Sequence, residues 1–517
     1  MKKKVFLFII VSVTINFWFL NSNCLAQPGF LDLTFDYDGK VITTIENSDA
    51  AGSSIAIQDD GKIVVAGVSD NGNNYDIILV RYDSNGTLDN TFGSDGIVTT
   101  SIGNSDDMGN SVAIQSDGKI LVAGTYDNGF DNDVVLVKYN NNGSIDTTFD
   151  TDGIVTTAVG NFDDYGYSVA IQSDNKIVVS GYSYNGFDYD FALLRYNSNG
   201  SLDNTFGLNG IVTTDFGNSN NYCHSVAIQN DGKILASGWS NNGFALVRYN
   251  SNGSLDNTFD TDGIVTTVVG SSGANSLSIA IQGDSKIVLA GASSINYYWD
   301  LTLVRYNNNG SLDSTFNSDG IVTTDFGNSN DWGKSVAIQS DGKILVAGSS
   351  DVLSDYDFAI VRYNSNGSLD NTFGFFGIMT TDFGSSYDYG HSVAIQDDGK
   401  IVVAGVSDNG SVINLALARY TSGNLVVNEI SNPVSLIIAP NPCNGVFQLG
   451  LTGLLPVSDV KIEVYDRIGK LVYYERQSQS INLINEQISL NNLPSGMYIL
   501  NLILQDMTFR KKLIIQK

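Results

Sequence analysis

Cysteine is almost absent from this chain: three residues in 517, at positions 24, 223 and 443. The first lies just after the N-terminal apolar run. The other two fall in regions of different character, so a disulfide framework is not expected and stability must come from packing. Histidine is scarcer still, with only His224 and His391. Nucleophilic catalysis needs a base beside the nucleophile, and no G-x-S-x-G, H-E-x-x-H or Cys-His cluster occurs to supply one. There are 6 prolines, and no segment holds an apolar period of 3.6, so helices are not expected. After the N-terminal segment no apolar run reaches the ~18 residues of a membrane span, so the mature chain is expected to have no transmembrane segment. Positive charge is also short. Residues 27–430 hold 16 Lys+Arg against 49 Asp+Glu, whereas residues 431–517 hold 8 against 6. An acidic body of this kind repels nucleic-acid phosphates and anionic membranes, so no nucleic-acid partner is expected.

The abundant residues are Gly (53), Asn, Asp, Ser, Thr and β-branched apolar side chains, a mixture suited to short strands and many turns. At the start, Lys2–Lys4 precede an apolar run, Val5–Leu20, and Cys24-Leu25-Ala26 offers small residues for cleavage. Residues 1–26 therefore read as a secretory signal peptide, with a short membrane anchor as the competing reading.

The dominant feature is a repeat. LDxTF, with Ile once for Leu, starts at 31, 88, 145, 202, 255, 312 and 369. AIQ and an Arg/Lys-Tyr pair also occur seven times each, with a period of 57 residues broken once by 53. One unit reads as four strands: 97–100, 111–115, 119–124 and 133–139. The middle two form a hairpin on Ser116-Asp117-Gly118. Apolar residues on both faces of such strands suit blades stacked between neighbours. The expectation is an all-β fold: a seven-bladed β-propeller with four-stranded blades over residues 27–420. A right-handed β-solenoid is the alternative. The chain opens with an unattached LDLTF and ends the array with an unattached Arg419-Tyr420. Val41–Thr44 is therefore expected to complete the last blade beside Asn414–Tyr420. The repeated Arg is expected to pair with a repeated Asp such as that of LDxTF, on the surface and contributing little.

Units such as SVAIQSDGKILVAG (Ser335–Gly348) make the array resemble the delta-60 repeat, a bacterial propeller repeat. The resemblance implies a non-catalytic module of extracellular or surface proteins. Residues 421–434 read as a linker, and 435–517 as a small immunoglobulin-like β-sandwich. This last piece resembles the C-terminal sorting domain of type IX secretion cargo in the Bacteroidetes. The matching residues are Pro440, Asn441, Pro442 and Gly445, the turn at Gly469, Gly496 with Tyr498, and the basic Lys511 and Lys512. It implies the type IX machinery as a partner. It also implies a secreted or outer-membrane surface location after loss of the signal and sorting segments. An ordinary adhesion module is the alternative.

Candidate sites follow from what varies between units. Loops after the ILVAG strand carry Tyr126, Tyr182, Tyr184, Trp239, Tyr298, Trp299 and Tyr356, a surface able to stack on a glycan or protein ligand. Asp36, Asp38, Asp150, Asp152, Asp260 and Asp262 resemble the front of a calcium loop, with plain turns as the competing reading. No cofactor is otherwise expected. Asp76, Asp133, Asp190, Asp300 and Asp357 recur before a strand, as caps or as an acidic ring. A binding or adhesion module is the leading function. A polysaccharide-active or lactonase-like enzyme and a calcium-stabilised spacer are the alternatives.

Overall fold

The computed structural model describes residues 28–45, 48–217, 219–241, 243–270, 273–295, 297–327, 329–352, 355–384, 387–422, 435–439, 443–452, 460–466, 469–477, 484–504 and 507–517. The signal-peptide reading falls outside them, as do Pro440, Asn441 and Pro442. Among the described residues there is no α-helix. Seven four-stranded antiparallel blades form a β-propeller.

Blade two is representative. Its inner strand is Asp107–Ile114, followed outward by Ile120–Asp127, Asn132–Tyr139 and the outer Ile154–Thr157. The second and third strands are apolar on both faces because each blade is covered on both sides. Leu121, Ala123, Val134 and Leu136 of blade two pack with Val169, Ile177, Val179 and Leu194 of blade three in one buried layer. Every inner strand carries a bulge, between Gly109 and Ser111 in blade two, which turns one extra residue out of the ladder. Opposite it the second strand must be thin: a Cβ on Gly124 would lie 1.7 Å from the Met108 carbonyl oxygen. The hairpin on Ser116-Asp117-Gly118 forms as expected, with Gly118 at φ 81°.

The seventh blade is closed by the other end of the chain. Lys40–Thr43 pairs with Ile413–Tyr420, Val41 opposite Leu417. Phe30 and Asp32 exchange backbone hydrogen bonds with Thr421 and Arg419, so the split connector becomes whole. Two side-chain circuits then run round the ring without a gap. Each inner-strand Ser accepts the N–H of a Val or Ile in the next blade, from Ser54 with Val112 to Ser392 with Ile55. Each buried Tyr of the Arg/Lys-Tyr step bonds a Thr on the outer strand of the preceding blade, as Tyr196 does with Thr157 at 2.8 Å and Tyr82 with Thr43 at 2.6 Å.

The basic residues do pair with the LDxTF Asp, but the expectation of weak surface pairs is overturned. Arg81 and Asp89 are both buried, 2.8 Å apart. The guanidinium lies 4.4 Å from the centre of the Phe92 ring and also donates to the Asn141 carbonyl of the next blade. The hairpin Lys reaches the same carboxylate, for example Lys233 to Asp256 at 2.9 Å and Lys286 to Asp313 at 2.8 Å. The pair is buried because the connector folds its Phe under the next blade's loop and carries the Asp with it. Burial alone would raise the Asp89 carboxyl. Hydrogen bonds from Thr91 and the charges of Arg81 and Lys62 outweigh it and hold the group at about 2.

Residues 435–517 form two facing sheets around their own core. One sheet has the strands Ser435–Ala439, Val446–Thr452 and Ile484–Ser489. The other has Leu471–Gln477, Val460–Tyr465, Gly496–Leu504 and Met507–Ile515. Phe447, Leu449, Ile462, Val464, Leu500 and Leu513 fill the space between. Cys223 and Cys443 are buried and unpaired.

Candidate functional site

Antiparallel order puts the start of every inner and third strand, and the end of every second and outer strand, on one face of the ring. The hairpin turns and LDxTF connectors occupy the other. The two faces differ chemically. The connector face holds seven near-copies of the Arg–Lys–Asp cluster and is uniform. The loop face varies from blade to blade.

Aromatic side chains gather on this loop face where two blades meet. The residue before the third strand's Asp, Trp299 in blade five, lies beside the second residue of the next inner strand, Trp332. Their rings stack at 4.8 Å, 22° from parallel. The same positions pair Tyr189 with Tyr222 at 5.3 Å and Tyr356 with Tyr389 at 5.0 Å. Between blades two and three the pair is polar, Asn132 donating to the Tyr165 hydroxyl at 3.2 Å. The largest cluster spans blades three and four. Tyr222 stacks on Trp239 at 4.4 Å and meets Tyr182 edge-on at 4.9 Å. Tyr167 stacks on Tyr182 at 5.1 Å with the hydroxyls 3.0 Å apart. Burial first, then neighbouring carboxylate and phenol charges, push the Tyr165 hydroxyl up to about 12.

Next to the aromatics in sequence stands a set of acids drawn from three repeated positions: the start of a third strand, the exposed residue after an outer strand, and the start of the next inner strand. They read Asp76, Ser101, Asp107 at the first junction and Asp133, Ala158, Asp164 at the second. The third reads Asp190, Asp215, Asn221 and the fourth Gly243, Val268, Ala274. The fifth reads Asp300, Asp325, Asp331, the sixth Asp357, Asp382, Asp388, and the last Asn414, Thr44, Ala50.

The bulged inner-strand residue faces the middle of the ring, where the inner strands of neighbouring blades pack against one another. These residues are Ser53, Asn110, Tyr167, His224, Leu277, Lys334 and His391. Asn110 and His391 each contact a glycine carbonyl of the next blade, Gly166 and Gly52. Burial, and then the Lys334 charge, lower both histidines to about 4, so both are neutral at pH 7. His391 meets a backbone carbonyl and His224 packs edge-on to Tyr167 at 4.8 Å. Among the described residues neither hydrogen-bonds a serine, threonine or cysteine side chain.

Of the expected partner-surface residues, Tyr184, Trp239, Tyr298, Trp299, Tyr356 and Tyr126 lie on the loop face, partly or fully exposed. Tyr182 is buried under its neighbours and supports the cluster. Sequence reasoning passed over Tyr189 and Asn132 as well as the next-blade partners Tyr165, Tyr222, Trp332 and Tyr389. The signal was present in the aligned strand starts DYGYSV, NYCHSV, DWGKSV and DYGHSV. The calcium-loop candidates lie on the opposite face. Asp38, Asp152 and Asp262 each accept the N–H two residues on, and Asp36, Asp150 and Asp260 adopt positive φ in tight turns. In the sandwich, Gly445 and Gly469 take positive φ in turns, and the Tyr498 hydroxyl donates to the Pro494 carbonyl at 3.0 Å beside Gly496. Lys511 and Lys512 are exposed on the last strand.

The family model described as "Domain of unknown function (DUF5122) beta-propeller" matches seven times, at 58–92, 115–149, 172–206, 229–259, 282–316, 339–373 and 396–424. The model described as "Secretion system C-terminal sorting domain" matches residues 437–516. The chain is a seven-repeat DUF5122 propeller with a type IX sorting domain. The sorting domain makes it an exported protein, secreted or held at the cell surface, that engages the type IX secretion system. No curated protein matches the chain.

Among solved structures, this DUF5122 protein is similar to a catalytically inactive virginiamycin B lyase from Staphylococcus aureus with quinupristin. Identity is 13%, TM-score 0.45, covering 73% of this chain and 98% of that one. A streptogramin B lyase matches at 12% and 0.43, covering 74% and 97%. A polysaccharide lyase matches at 12% and 0.44, covering 72% and 90%. Nothing about this chain's activity follows from scores of this size.

Proposed function

We propose that the DUF5122 ring is a non-enzymatic binding module that takes carbohydrate on its loop face. The observation that carries this reading is the set of close-packed, partly exposed aromatic pairs at the blade junctions, above all the stacked Trp299–Trp332. A sugar ring presents C–H groups on one face and hydroxyls at its edge. Flat aromatic surfaces bordered by carboxylates and amides suit both. The pairs differ between junctions, so a polymer crossing the face meets different subsites. The sorting domain delivers the ring to the outside and is removed there.

The full chain is tested on a glycan array, with positive hits measured by calorimetry and screened for hydrolysis or elimination products. Binding is expected to weaken by about 10-fold or more in Trp299→Ala and in Tyr222→Ala, a loss of ~1.4 kcal/mol or more. It should be unchanged in Tyr37→Ala, an exposed aromatic on the connector face. Equal loss in all three variants, or no glycan bound at all, overturns the reading. Turnover abolished by a single carboxylate substitution would show an enzyme instead.

A further inference from the structure

One position class on the loop face is chemically incomplete. At the last junction Thr44 Oγ1 donates to Asn414 Oδ1 at 2.8 Å, so the third-strand and outer-strand positions lie at hydrogen-bonding distance and are satisfied by neutral groups. At the fourth junction all three positions are apolar or Gly: Gly243, Val268 and Ala274. At the fifth, the same places hold three carboxylates, Asp300, Asp325 and Asp331, with one oxygen of each within 4.8 Å of the other two. Asp331 is fully buried. Its Oδ2 accepts the Phe326 N–H at 2.8 Å, and its Oδ1 accepts the Ser350 hydroxyl at 2.5 Å, which holds the carboxylate rigid with a lone pair free on each oxygen. Asp300 is 8% exposed, and among the described residues its carboxylate accepts no hydrogen bond and meets no Lys or Arg. A buried carboxylate aimed at two others with nothing to neutralise it is costly.

We propose that Asp300, Asp325 and Asp331 form a divalent-cation site, calcium first, at the junction of blades five and six. Calcium binds oxygen ligands at 2.3–2.6 Å, so two ligands of one ion lie at most about 5 Å apart. The spacing of the three carboxylates satisfies that limit. Three carboxylates from three separate strands or their ends supply the charge, and water completes the shell from the open side at exposed Asp325. The sixth junction repeats the arrangement with Asp357, Asp382 and Asp388. The site is distinct from the calcium-loop candidates of the connector face and does not depend on carbohydrate binding. Its neighbours make it visible: Trp299 and Trp332 are adjacent in sequence to Asp300 and Asp331 and stack on each other.

Terbium, a luminescent stand-in for calcium, is titrated into the metal-free full chain with excitation of tryptophan. Sensitised emission competed away by calcium is expected, and equilibrium dialysis with calcium alone should count the ions. Asp300→Asn should abolish the tryptophan-sensitised signal and remove one ion per chain. This variant is expected to fold, because Asn414 occupies the same position in blade seven. Its circular dichroism should match that of the parent. Asp150→Asn and Asp260→Asn should change nothing. Absence of sensitised emission, or an ion count unchanged in folded Asp300→Asn, overturns the proposal. So does a signal lost equally in Asp150→Asn.

Discussion

Replacing Asp32 by Asn tests the account of ring closure. Asp32 is the only one of the seven connector carboxylates that reaches its Arg across the chain ends. It is 3% exposed and lies 2.9 Å from Arg419 and 3.4 Å from Lys400. The substitution keeps size and the hydrogen bonds from Thr34, but leaves Arg419 buried without its contacting carboxylate, only the more distant Asp398 remaining. Breaking a buried pair from one side costs about 3–5 kcal/mol. Unfolding entropy of ~2.1 cal/mol/K per residue, over a ring of roughly 400 residues, gives ~0.8 kcal/mol/K. The melting temperature should therefore fall by about 4–6 °C. Differential scanning calorimetry of the full chain reads this directly. Hydrogen exchange supplies a second readout, because the strand Lys40–Thr43 is held to the last blade next to this contact. Its amides should exchange faster in Asp32→Asn and not in Asp203→Asn, where the same pair lies within one continuous segment. A melting shift under 1 °C, or unchanged exchange over 40–43, would refute the reasoning.

Three further outcomes follow from the same contacts. Tyr196→Phe removes one link of the outer circuit and leaves the buried Thr157 hydroxyl unpaired, a loss of about 1–2 kcal/mol measurable by denaturant titration. Gly181→Ala puts a Cβ 1.7 Å from the Tyr165 carbonyl oxygen, so the bulged pairing must open. A drop of about 3 kcal/mol is expected, and an unchanged melt would show that the bulge yields freely. Stability should also depend on pH from two directions. Asp89 and Asp146, each held at about 2, contribute stability that is lost as pH falls from about 4 toward 2. Asp107, pushed up to about 7 mainly by burial, contributes stability on the acid side that is lost as pH rises from about 4 toward 7. A melting optimum near pH 4–5 is expected in calcium-free buffer, and a monotonic rise from pH 3 to pH 8 would contradict these assignments.

Much of the ring was legible because periodicity carries three-dimensional information in one dimension. A blade cannot bury both faces alone, so seven near-identical units with apolar second and third strands imply stacked neighbours. A motif split between Leu31 and Tyr420 implies closure. The sorting domain was legible for a different reason: its turn glycines Gly445 and Gly469 and its closing hairpin lie in a fixed order. The environment of the repeated charges was not legible. Arg81 and Asp89 read as surface residues by composition, and only the fold of Phe92 beneath the neighbouring blade buries them.

The functional face divides in the same way. The loop aromatics Trp239, Trp299 and Tyr356 stood out because they vary in an otherwise constant unit. Tyr222, the partner of Trp239, sits across the hairpin of the same blade, whereas Trp332 and Tyr389, the partners of Trp299 and Tyr356, lie 33 residues on in the next repeat, and that pairing exists only where two blades touch. Asp300, Asp325 and Asp331 are likewise spread over 32 residues and come from two blades. By itself the sequence determined the blade, the number of blades and the address to which the protein is sent, because each of these is written locally and repeated. Tertiary structure alone decided which side chains become neighbours across the blade junctions. There the twist of one sheet against the next, rather than any spacing along the chain, sets the distances.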